Sequence, residues 1–354
     1  MSALEERIAK LIAANGPLSI AQFMTIALHD PKDGYYATRD PFGSGGDFTT
    51  APEISQMFGE MLGLWCVQVW HDQGKPAPVN LVELGPGRGT LMADALRAMR
   101  VAPEFLAALD VVLVEASPVL RDIQQAKLAD CSVRLDWTDR FDASRLDRTL
   151  FLLANEFFDA LPIRQFVRVG AGWRERMVTA DANGRLSFVL SPVTADALVP
   201  AGRNAAPQGG VIETSPAATA MTEEISSAIA KHGGGALIVD YGYDAPGFGE
   251  TLQAVESHSF AEVLADPGES DLSAHVDFSA LANAARRGGA VPFGPTGQGP
   301  FLLDLGIATR AERLMQADPS VAAALDRLVN PQQMGSLFKA LAIVAEGAPK
   351  PPGF

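Results

Sequence analysis

The chain has only two cysteines among its 354 residues, Cys66 and Cys131, which excludes a fold held together by a disulfide framework. Neither cysteine has the neighbouring His and Cys residues of a metal site, so we expect no bound metal ion. The chain also has no apolar run of roughly 18 to 20 residues, the length that a membrane-spanning helix needs. These absences predict a protein of a reducing compartment that is not inserted in a membrane.

Basic residues are also few, since 28 Lys and Arg stand against 42 Asp and Glu and the formal net charge is −14. This charge disfavours broad contact with a phosphate backbone, so we expect a protein substrate with a basic segment and no nucleic acid. Glu5 and Glu6 argue against a signal or transit peptide. We expect a cytoplasmic protein, although a mitochondrial matrix protein after processing would have the same composition. The oligomeric state is not indicated.

Three glycines lie between a short, mostly apolar strand, Val79 to Leu84, and a helical pattern from Thr90 to Arg100. They are Gly85, Gly87 and Gly89. Glycine permits sharp turns and close approach of the backbone to a ligand, because it has no Cβ atom. In an open parallel sheet, the turn between a strand and the following helix is the usual ligand-binding crevice.

The residues around these glycines distinguish between classes of cofactor. The dinucleotide fingerprint, Gly-x-Gly-x-x-Gly, requires a glycine at its sixth position, where this chain has Thr90. The chain also lacks the Gly-Lys-Ser/Thr that ends a phosphate loop. Glu83 suits a cationic ligand and would repel a pyrophosphate. The turn resembles motif I of the class I S-adenosylmethionine-dependent methyltransferases; a turn with only a packing role is the alternative. The resemblance implies S-adenosyl-L-methionine as cofactor, with contacts at Glu83, Gly85, Pro86, Gly87, Gly89 and Thr90.

Two further strand ends carry candidate cofactor contacts. The predicted strand from Asp110 to Glu115 is apolar between its two acidic ends. The carboxylate of Glu115 can bind both hydroxyls of a ribose; the alternative is that Glu115 is an acidic residue exposed to solvent at a strand end. A weaker strand, Ser132–Leu135, precedes Asp136 and Trp137. In the methyltransferase pattern these two residues would contact adenine, by a hydrogen bond and by stacking, but both are also common in ordinary loops.

The next apolar run ends in a sequence that carries a more specific resemblance, Asn155-Glu156-Phe157-Phe158-Asp159-Ala160-Leu161-Pro162. It is similar to the signature of the MidA-type methyltransferases, a mitochondrial complex I assembly family that methylates an arginine of a complex I subunit, and their bacterial relatives. Supporting matches extend over almost the whole chain: Gly45–Phe48, Pro52–Gln56, Asp240–Gly242, Thr251–Ala254, Ala274–Phe278 and Met334–Lys339.

The resemblance implies an α/β fold with a Rossmann-like, seven-stranded class I methyltransferase sheet, a helical N-terminal part and inserted α+β segments for substrate recognition. It also implies an enzyme that methylates an arginine of a protein, expected to be a complex I subunit. A carboxylate and an amide can orient a guanidinium group, so Asn155 and Glu156 are the expected catalytic residues, and Asn155 is also an expected cofactor contact. Other arginine methyltransferases use two glutamates on one loop, but nine residues after Glu156 this chain has Gln165. The second carboxylate is therefore unassigned, and Asp159 is the candidate.

Substrate contacts are expected at further strand ends and matching motifs, and the candidates are Asp47, Asp240, Tyr241, His275 and Asp277. An ordinary hydrogen-bonded histidine is the alternative for His275. The long loop from His29 to Thr50 is expected to form a lid over the cofactor. A helix is expected to start at Thr50, because Thr50 and Glu53 have capping-box spacing.

These patterns predict four parts of the chain. They are N-terminal helices with a lid loop (1–75), a methyltransferase core (76–162 and 233–256 with 335–346), a β-rich insertion followed by a helix (163–232), and a second, mostly helical insertion (257–334). Two other functions fit parts of the sequence. A cofactor-binding complex I assembly chaperone would not need the intact Asn155 and Glu156, and a nicotinamide-dependent oxidoreductase would need the glycine that Thr90 replaces.

Overall fold

The computed structural model describes residues 2–38, 49–200, 206–245, 247–256 and 259–354. In these residues the helices are α1 (Ala3–Asn15), α2 (Ile20–His29), α3 (Tyr35–Thr38), α4 (Ala51–Ile54), α5 (Gln56–Asp72), α6 (Thr90–Met99), α7 (Pro103–Ala108), α8 (Pro118–Lys127), α9 (Pro216–His232), α10 (Phe278–Arg287), α11 (Gln298–Asp304), α12 (Ile307–Met315), α13 (Val321–Val329) and α14 (Met334–Leu337). None of these helices is both long enough and apolar enough to cross a membrane.

The strands of the same residues are β1 (Leu18–Ser19), β2 (Val79–Leu84), β3 (Leu109–Val114), β4 (Arg134–Thr138), β5 (Thr149–Asn155), β6 (Arg164–Val169), β7 (Gly172–Ala180), β8 (Leu186–Thr194), β9 (Val211–Thr214), β10 (Gly234–Tyr243), β11 (Gln253–Glu256), β12 (Ser259–Ala261), β13 (Asp271–Ser273), β14 (Val276–Asp277), β15 (Ala290–Gly297) and β16 (Phe338–Ala345).

Contacts divide the chain into two compact units, and each is built from three segments. The first unit consists of Met1–Pro41, Asp159–Ala218 and Ala245–His275. The second unit consists of Phe42–Phe158, Thr219–Asp244 and Val276–Phe354.

The second unit contains a sheet with the strand order β15-β16-β10-β5-β2-β3-β4, and the short β14 pairs with the end of β10. Neighbouring strands from β10 to β4 are parallel, whereas β16 is antiparallel to both of its neighbours. The seven strands of this order form the Rossmann-like α/β sheet that the sequence predicts, and β14 adds a short eighth strand. The parallel arrangement brings the carboxyl ends of β2, β3 and β5 to one edge.

Helix α5 covers this sheet and packs closely against α6 through two glycines. A Cβ atom on Gly59 would lie 2.8 Å from the Cβ of Asp94, and one on Gly63 would lie 2.7 Å from the carbonyl oxygen of Ala95. The buried Glu60 carboxylate, between these glycines on α5, accepts hydrogen bonds from Arg97 and from a second arginine, on α12. The apolar side of α5, which includes the fully buried Phe58, Leu62 and Trp65, belongs to the core. The contact between the two helices orients α6, which follows the glycine turn.

The first unit contains a five-stranded and a three-stranded sheet. In the larger sheet the order is β1-β7-β6-β9, and β8 pairs with β7. Its small core includes the buried side chains of Phe166, Trp173 and Ile212. Strand β7 pairs antiparallel with both β6 and β8, and all three lie in the segment expected to be rich in strands.

Contacts group the segments differently from the four parts expected along the chain. The N-terminal residues belong with the β-rich insertion, because β1 pairs with β7. Helix α5, placed among the N-terminal helices, belongs to the second unit. Strand β15 lies in the segment expected to be mostly helical, where Pro292, Gly294 and Pro295 hide the alternation of a strand.

Three local expectations are wrong at the level of element bounds. The helix at Thr50 ends after one turn at Ile54, and the Thr50 side chain makes no capping hydrogen bond. Ser55 is extended and caps α5 instead. Strand β4 continues through Asp136 and Trp137, which the sequence places just beyond it. Strand β10 continues to Tyr243, so Asp240 and Tyr241, expected at its end, lie within it.

Candidate active site

The glycine turn has the left-handed backbone that its composition predicts. Gly85, Gly87 and Gly89 have φ angles of 60°, 52° and 75°. The N–H of Gly89 donates to the carbonyl oxygen of Pro86 at 2.7 Å and closes the turn where α6 begins. A Cβ atom on Gly85 would lie 2.7 Å from Cδ2 of Phe157. The turn therefore requires glycine both for its backbone angles and for its packing.

Two buried hydrogen-bond acceptors lie near the glycine turn, and neither has a partner among the described residues. They are Oε2 of Glu83, in β2, and Oδ1 of Asn155, the last residue of β5. Burial raises the pKa of Glu83 to about 8, and repulsion from Glu115 adds to this effect. Buried acceptors without partners are costly, so the pair is suited to a ligand that brings N–H donors and positive charge.

Glu115 follows β3 and is buried like Glu83. Its Oε1 accepts from the N–H of Ser117 at 2.8 Å, and its Oε2 accepts from Nε2 of Gln124 at 3.2 Å. Burial raises the pKa of Glu115, although these hydrogen bonds oppose the change. The carboxylate is thus held at the end of β3, the position that the sequence predicts for a ribose contact.

Gln124 is the residue of this site that the sequence interpretation missed. It is fully buried on α8, and its amide contacts Gly87, Glu115 and Trp137. One signal was present in the sequence, because Leu120, Gln124 and Leu128 are spaced four residues apart. A polar residue therefore occupies the apolar side of an amphipathic helix.

The two predicted adenine contacts lie on opposite sides of β4. Trp137 is half-buried, and its indole N–H donates to Oε1 of Gln124 at 2.9 Å. Asp136 is exposed and lines a separate cleft on the other face of the sheet, together with Asp110 and Arg134. The structure therefore joins Trp137 to the glycine turn through Gln124 but does not place Asp136 among the residues that line the turn's cleft.

Glu156 has a strained backbone and a carboxylate held by two donors. Its φ of 49° lies in the left-handed region, which non-glycine residues rarely adopt and which often marks functional sites. Oε1 of Glu156 accepts from the N–H of Ala51 at 2.9 Å and from Nδ2 of Asn155 at 3.1 Å. The first turn of α4 and the end of β5 thus fix the orientation of this carboxylate.

Thr90 joins the glycine turn to the same short helix. Its hydroxyl donates to Oε1 of Glu53 and accepts from Nζ of Lys127. Glu53 therefore bonds to Thr90 and not to the start of its own helix, which explains why the expected capping box is absent.

One cleft of the second unit brings seven of the predicted site residues together. Its lining is Thr50, Pro52, Glu53, Glu83, Gly85, Pro86, Gly87, Arg88, Thr90, Leu91, Asn155 and Glu156. It therefore combines a glycine turn, an oriented carboxylate and two acceptors that have no partner in the part of the chain that the structure describes. Among the described residues no group of His, Cys, Asp or Glu side chains is arranged to hold a metal ion.

Three of the predicted substrate residues of the second unit have structural contacts. The fully buried Asp240 accepts from the N–H groups of Phe157 and Phe158 at 3.2 and 2.9 Å, and thereby holds the segment after Glu156. Tyr241 packs edge-on against a phenylalanine of β16 at 5.4 Å between ring centroids. Asp277 accepts from the N–H of Ala280 and caps α10. Their roles toward a substrate stay predictions.

The remaining predicted residues lie in the first unit or outside the described residues. Asp159 is buried, and its carbonyl oxygen accepts from the N–H of Ala274. The N–H of His275 donates to the Thr251 hydroxyl at 2.9 Å, and partial burial lowers the pKa of the imidazole. Asp47 and most of the predicted lid loop lie outside the described residues.

Comparisons with known proteins agree with this geometry. Residues 61–296 match the model of a family described as S-adenosyl-L-methionine-dependent methyltransferase. The chain is 37% identical to the zebrafish (Danio rerio) protein named protein arginine methyltransferase NDUFAF7, mitochondrial, over 96% of this chain and 86% of that protein. The human protein of the same name is also 37% identical, over 94% of this chain and 81% of its own length.

Solved structures from Burkholderia thailandensis extend the similarity to the fold. One, bound to S-adenosyl-homocysteine, has a TM-score of 0.85 at 29% identity and covers 99% of this chain and 94% of its own. The other, a native structure, has a TM-score of 0.83 at 30% identity, with 99% and 93% covered. The similarity thus spans both units and includes a relative that binds the product form of the expected cofactor.

Proposed function

The chain belongs to this family of S-adenosyl-L-methionine-dependent methyltransferases, and from that premise we propose that it methylates an arginine side chain of a protein. The names of the vertebrate relatives support the choice of arginine. The signature from Asn155 to Pro162, with its resemblance to the complex I assembly family, supports a complex I subunit as the protein substrate. Of the two expected compartments, the mitochondrial matrix is favoured by the names of the relatives, which are mitochondrial proteins. A cytoplasmic location stays a prediction.

The residues of the cleft fit S-adenosyl-L-methionine. Oε2 of Glu83 and Oδ1 of Asn155 are buried acceptors that suit the ammonium group of its methionine part. The carboxylate of Glu115, at the end of the neighbouring strand, suits the two ribose hydroxyls. When bound, the cofactor supplies an electrophilic methyl group on a sulfonium, which becomes a neutral thioether after transfer.

The observation that carries the proposal is the fixed carboxylate of Glu156. The N–H of Ala51 and the amide of Asn155 hold it in one orientation, in the cleft that Glu83 and the glycine turn also line. A carboxylate held in this way accepts N–H bonds from a planar guanidinium and aligns one nitrogen for attack on a methyl group. Glu156 is therefore the proposed catalytic residue, with Asn155 beside it and Asp159 as the candidate second carboxylate.

The test uses methyl-labelled S-adenosyl-L-methionine and purified complex I, with mass spectrometry of the modified residue. The wild type is expected to label arginine, and Glu156→Gln is expected to lose about a hundredfold in transfer rate while it still binds S-adenosyl-homocysteine. Glu104→Gln removes an exposed carboxylate of α7 and serves as the matched control. Label on lysine or histidine would contradict the choice of arginine.

The same measurement separates an enzyme from a cofactor-binding assembly chaperone. A chaperone would bind S-adenosyl-homocysteine but would label no residue of complex I in either the wild type or Glu156→Gln. That result would contradict the catalytic role of Glu156. A titration with NAD tests the oxidoreductase alternative, and we expect no binding because Thr90 stands where the dinucleotide fingerprint has glycine.

A further inference from the structure

Gln124 connects the glycine turn, which lines the cleft, to two neighbouring elements through one side chain. Its Nε2 donates to the carbonyl oxygen of Gly87 at 2.7 Å and to Oε2 of Glu115 at 3.2 Å. Its Oε1 accepts from the indole N–H of Trp137 at 2.9 Å. The glycine turn, the end of β3 and the inner side of β4 thus meet at one amide, which is 0% exposed.

The amide can make these bonds in one orientation only. Its NH2 group offers two donors and meets two acceptors, while its oxygen meets the single donor of the indole ring. If the amide were reversed, its N–H would point at the indole N–H and its oxygen at two other oxygens. The two donors and the acceptor therefore lock the rotamer, and no other side chain of similar length offers the same groups.

The bond to Gly87 also determines the direction of the next peptide group. In a planar trans peptide the N–H points opposite to the C=O, so the N–H of Arg88 points away from Gln124. Gly87 and Arg88 both line the cleft. A Cβ atom on Gly89 would lie 3.4 Å from Cγ of Gln124, so the turn also packs directly on this side chain.

We propose that Gln124 is a positioning residue for the cofactor, because its amide orients the glycine turn, the ribose carboxylate Glu115 and the Trp137 ring together. The inference rests on one part of the proposed function, the binding of S-adenosyl-L-methionine. It does not depend on which residue is methylated. It gives α8 a role in cofactor binding, although none of the motifs that carry the family resemblance includes residues of this helix. Gln124 acts through the three groups it holds and does not itself contact the reacting atoms.

Two variants separate the two halves of the amide. Gln124→Met keeps the length of the side chain and removes all three hydrogen bonds. Gln124→Glu keeps an acceptor for Trp137, but it replaces the NH2 donor with an oxygen beside Glu115 and the Gly87 carbonyl. Gln68→Met, on the exposed side of α5, makes the same chemical change where no cofactor contact exists.

The affinity for S-adenosyl-homocysteine is measured by calorimetry and the tryptophan emission by fluorescence, with Trp137→Phe to assign the signal. Gln124→Met is expected to raise the Kd about 10- to 100-fold and to shift the Trp137 emission. Gln124→Glu is expected to raise the Kd at least as much but to keep the emission of the wild type. Both variants are expected to change KM for the cofactor more than kcat.

A structural role alone predicts a different pattern. In that case both variants would lower the melting temperature while the folded fraction bound S-adenosyl-homocysteine with a Kd within threefold of the wild type, as Gln68→Met is expected to do. That outcome would overturn the proposal. Failure of the wild type to bind S-adenosyl-homocysteine would instead contradict the proposed function itself, and binding without arginine methylation would contradict the proposed reaction but not the role of Gln124.

Discussion

At the scale of single residues, the buried Glu83 makes the stability of the second unit depend on pH. Burial and the nearby Glu115 raise its pKa in the folded state to about 8, from an ordinary value of 4.5. Between these two values the folded protein keeps a proton that the unfolded chain releases. The unfolded state is therefore favoured progressively as pH rises, until Glu83 ionises in the folded state as well.

We expect the free energy of unfolding to fall between about pH 5 and pH 8 by a few kcal/mol, since a change of one in pKa corresponds to about 1.4 kcal/mol. Glu83→Gln is expected to reduce this slope, because glutamine carries no titrating proton; the part that remains comes from Glu115, whose pKa burial also raises. Urea unfolding at several pH values measures the difference between the two proteins. Glu104→Gln, an exposed carboxylate, is expected to keep the slope of the wild type; equal slopes for Glu83→Gln and the wild type would contradict the prediction.

At the scale of elements, the contact between α5 and α6 depends on glycine. A Cβ atom on Gly63 would lie 2.7 Å from the carbonyl oxygen of Ala95 and 2.8 Å from its Cα, so a methyl group must move α6. Gly63→Ala is expected to lower the free energy of unfolding by about 1–3 kcal/mol. Thermal or chemical unfolding measures the change, with Gln68→Ala on the exposed side of α5 as the control. No loss of stability in Gly63→Ala would show that α6 moves without cost.

Strand β8 forms an exposed edge of the larger sheet in the first unit. Among the described residues it pairs only with β7, it carries no charge, and Phe188, Val189 and Leu190 are 43%, 37% and 38% exposed. Uncharged apolar edges of this kind promote association between chains. Pro192 protects the end of the strand, because it lacks an N–H, but the first half has no such protection.

We expect Val189→Lys to reduce aggregation at high protein concentration, because a charge on an edge strand opposes pairing with another chain. Light scattering during concentration measures the effect, and the free energy of unfolding is expected to stay within about 0.5 kcal/mol of the wild type. Val101→Lys adds the same charge at an exposed position of the second unit and controls for net charge. Equal reduction by both variants would show that net charge, and not the edge, controls aggregation.

The elements that the sequence predicts well are those whose signal is local. Strand β2 has the predicted bounds and α6 begins at the predicted residue, Thr90, because an apolar run and a helical period can be read within ten residues. Strand β15 was hidden by its prolines and glycines, and its place beside β16 depends on residues far along the chain. The glycine turn was recognisable from composition, whereas the bond of Glu53 to Thr90 joins two segments that no short motif connects.

At the scale of the whole molecule, cofactor binding links the cleft to the stability of the second unit. S-adenosyl-homocysteine at 100 times its Kd is expected to raise the free energy of unfolding by about 2.7 kcal/mol, measured as an increase in melting temperature. Gly87→Val is expected to abolish this increase, since valine disfavours the φ of 52° and would alter the turn.

Gly170→Val is the matched control for this prediction. Gly170 also has a left-handed backbone, with φ of 60°, but it lies in the first unit and a Cβ atom there would have open space. We expect this variant to lose stability from backbone strain and to keep the full increase with S-adenosyl-homocysteine. A lost increase in both variants would show that strain, and not the cofactor turn, is responsible.

The position of β16 in the sheet also has a consequence for how the protein is made. Residues 338–345 insert between β10 and β15, although every other strand of that sheet precedes them in the chain. On the ribosome, the glycine turn, Glu83, Glu115 and Glu156 all emerge long before the strand that completes their sheet. Until β16 has been translated, β10 and β15 therefore have open backbone edges, and such edges favour pairing with other chains.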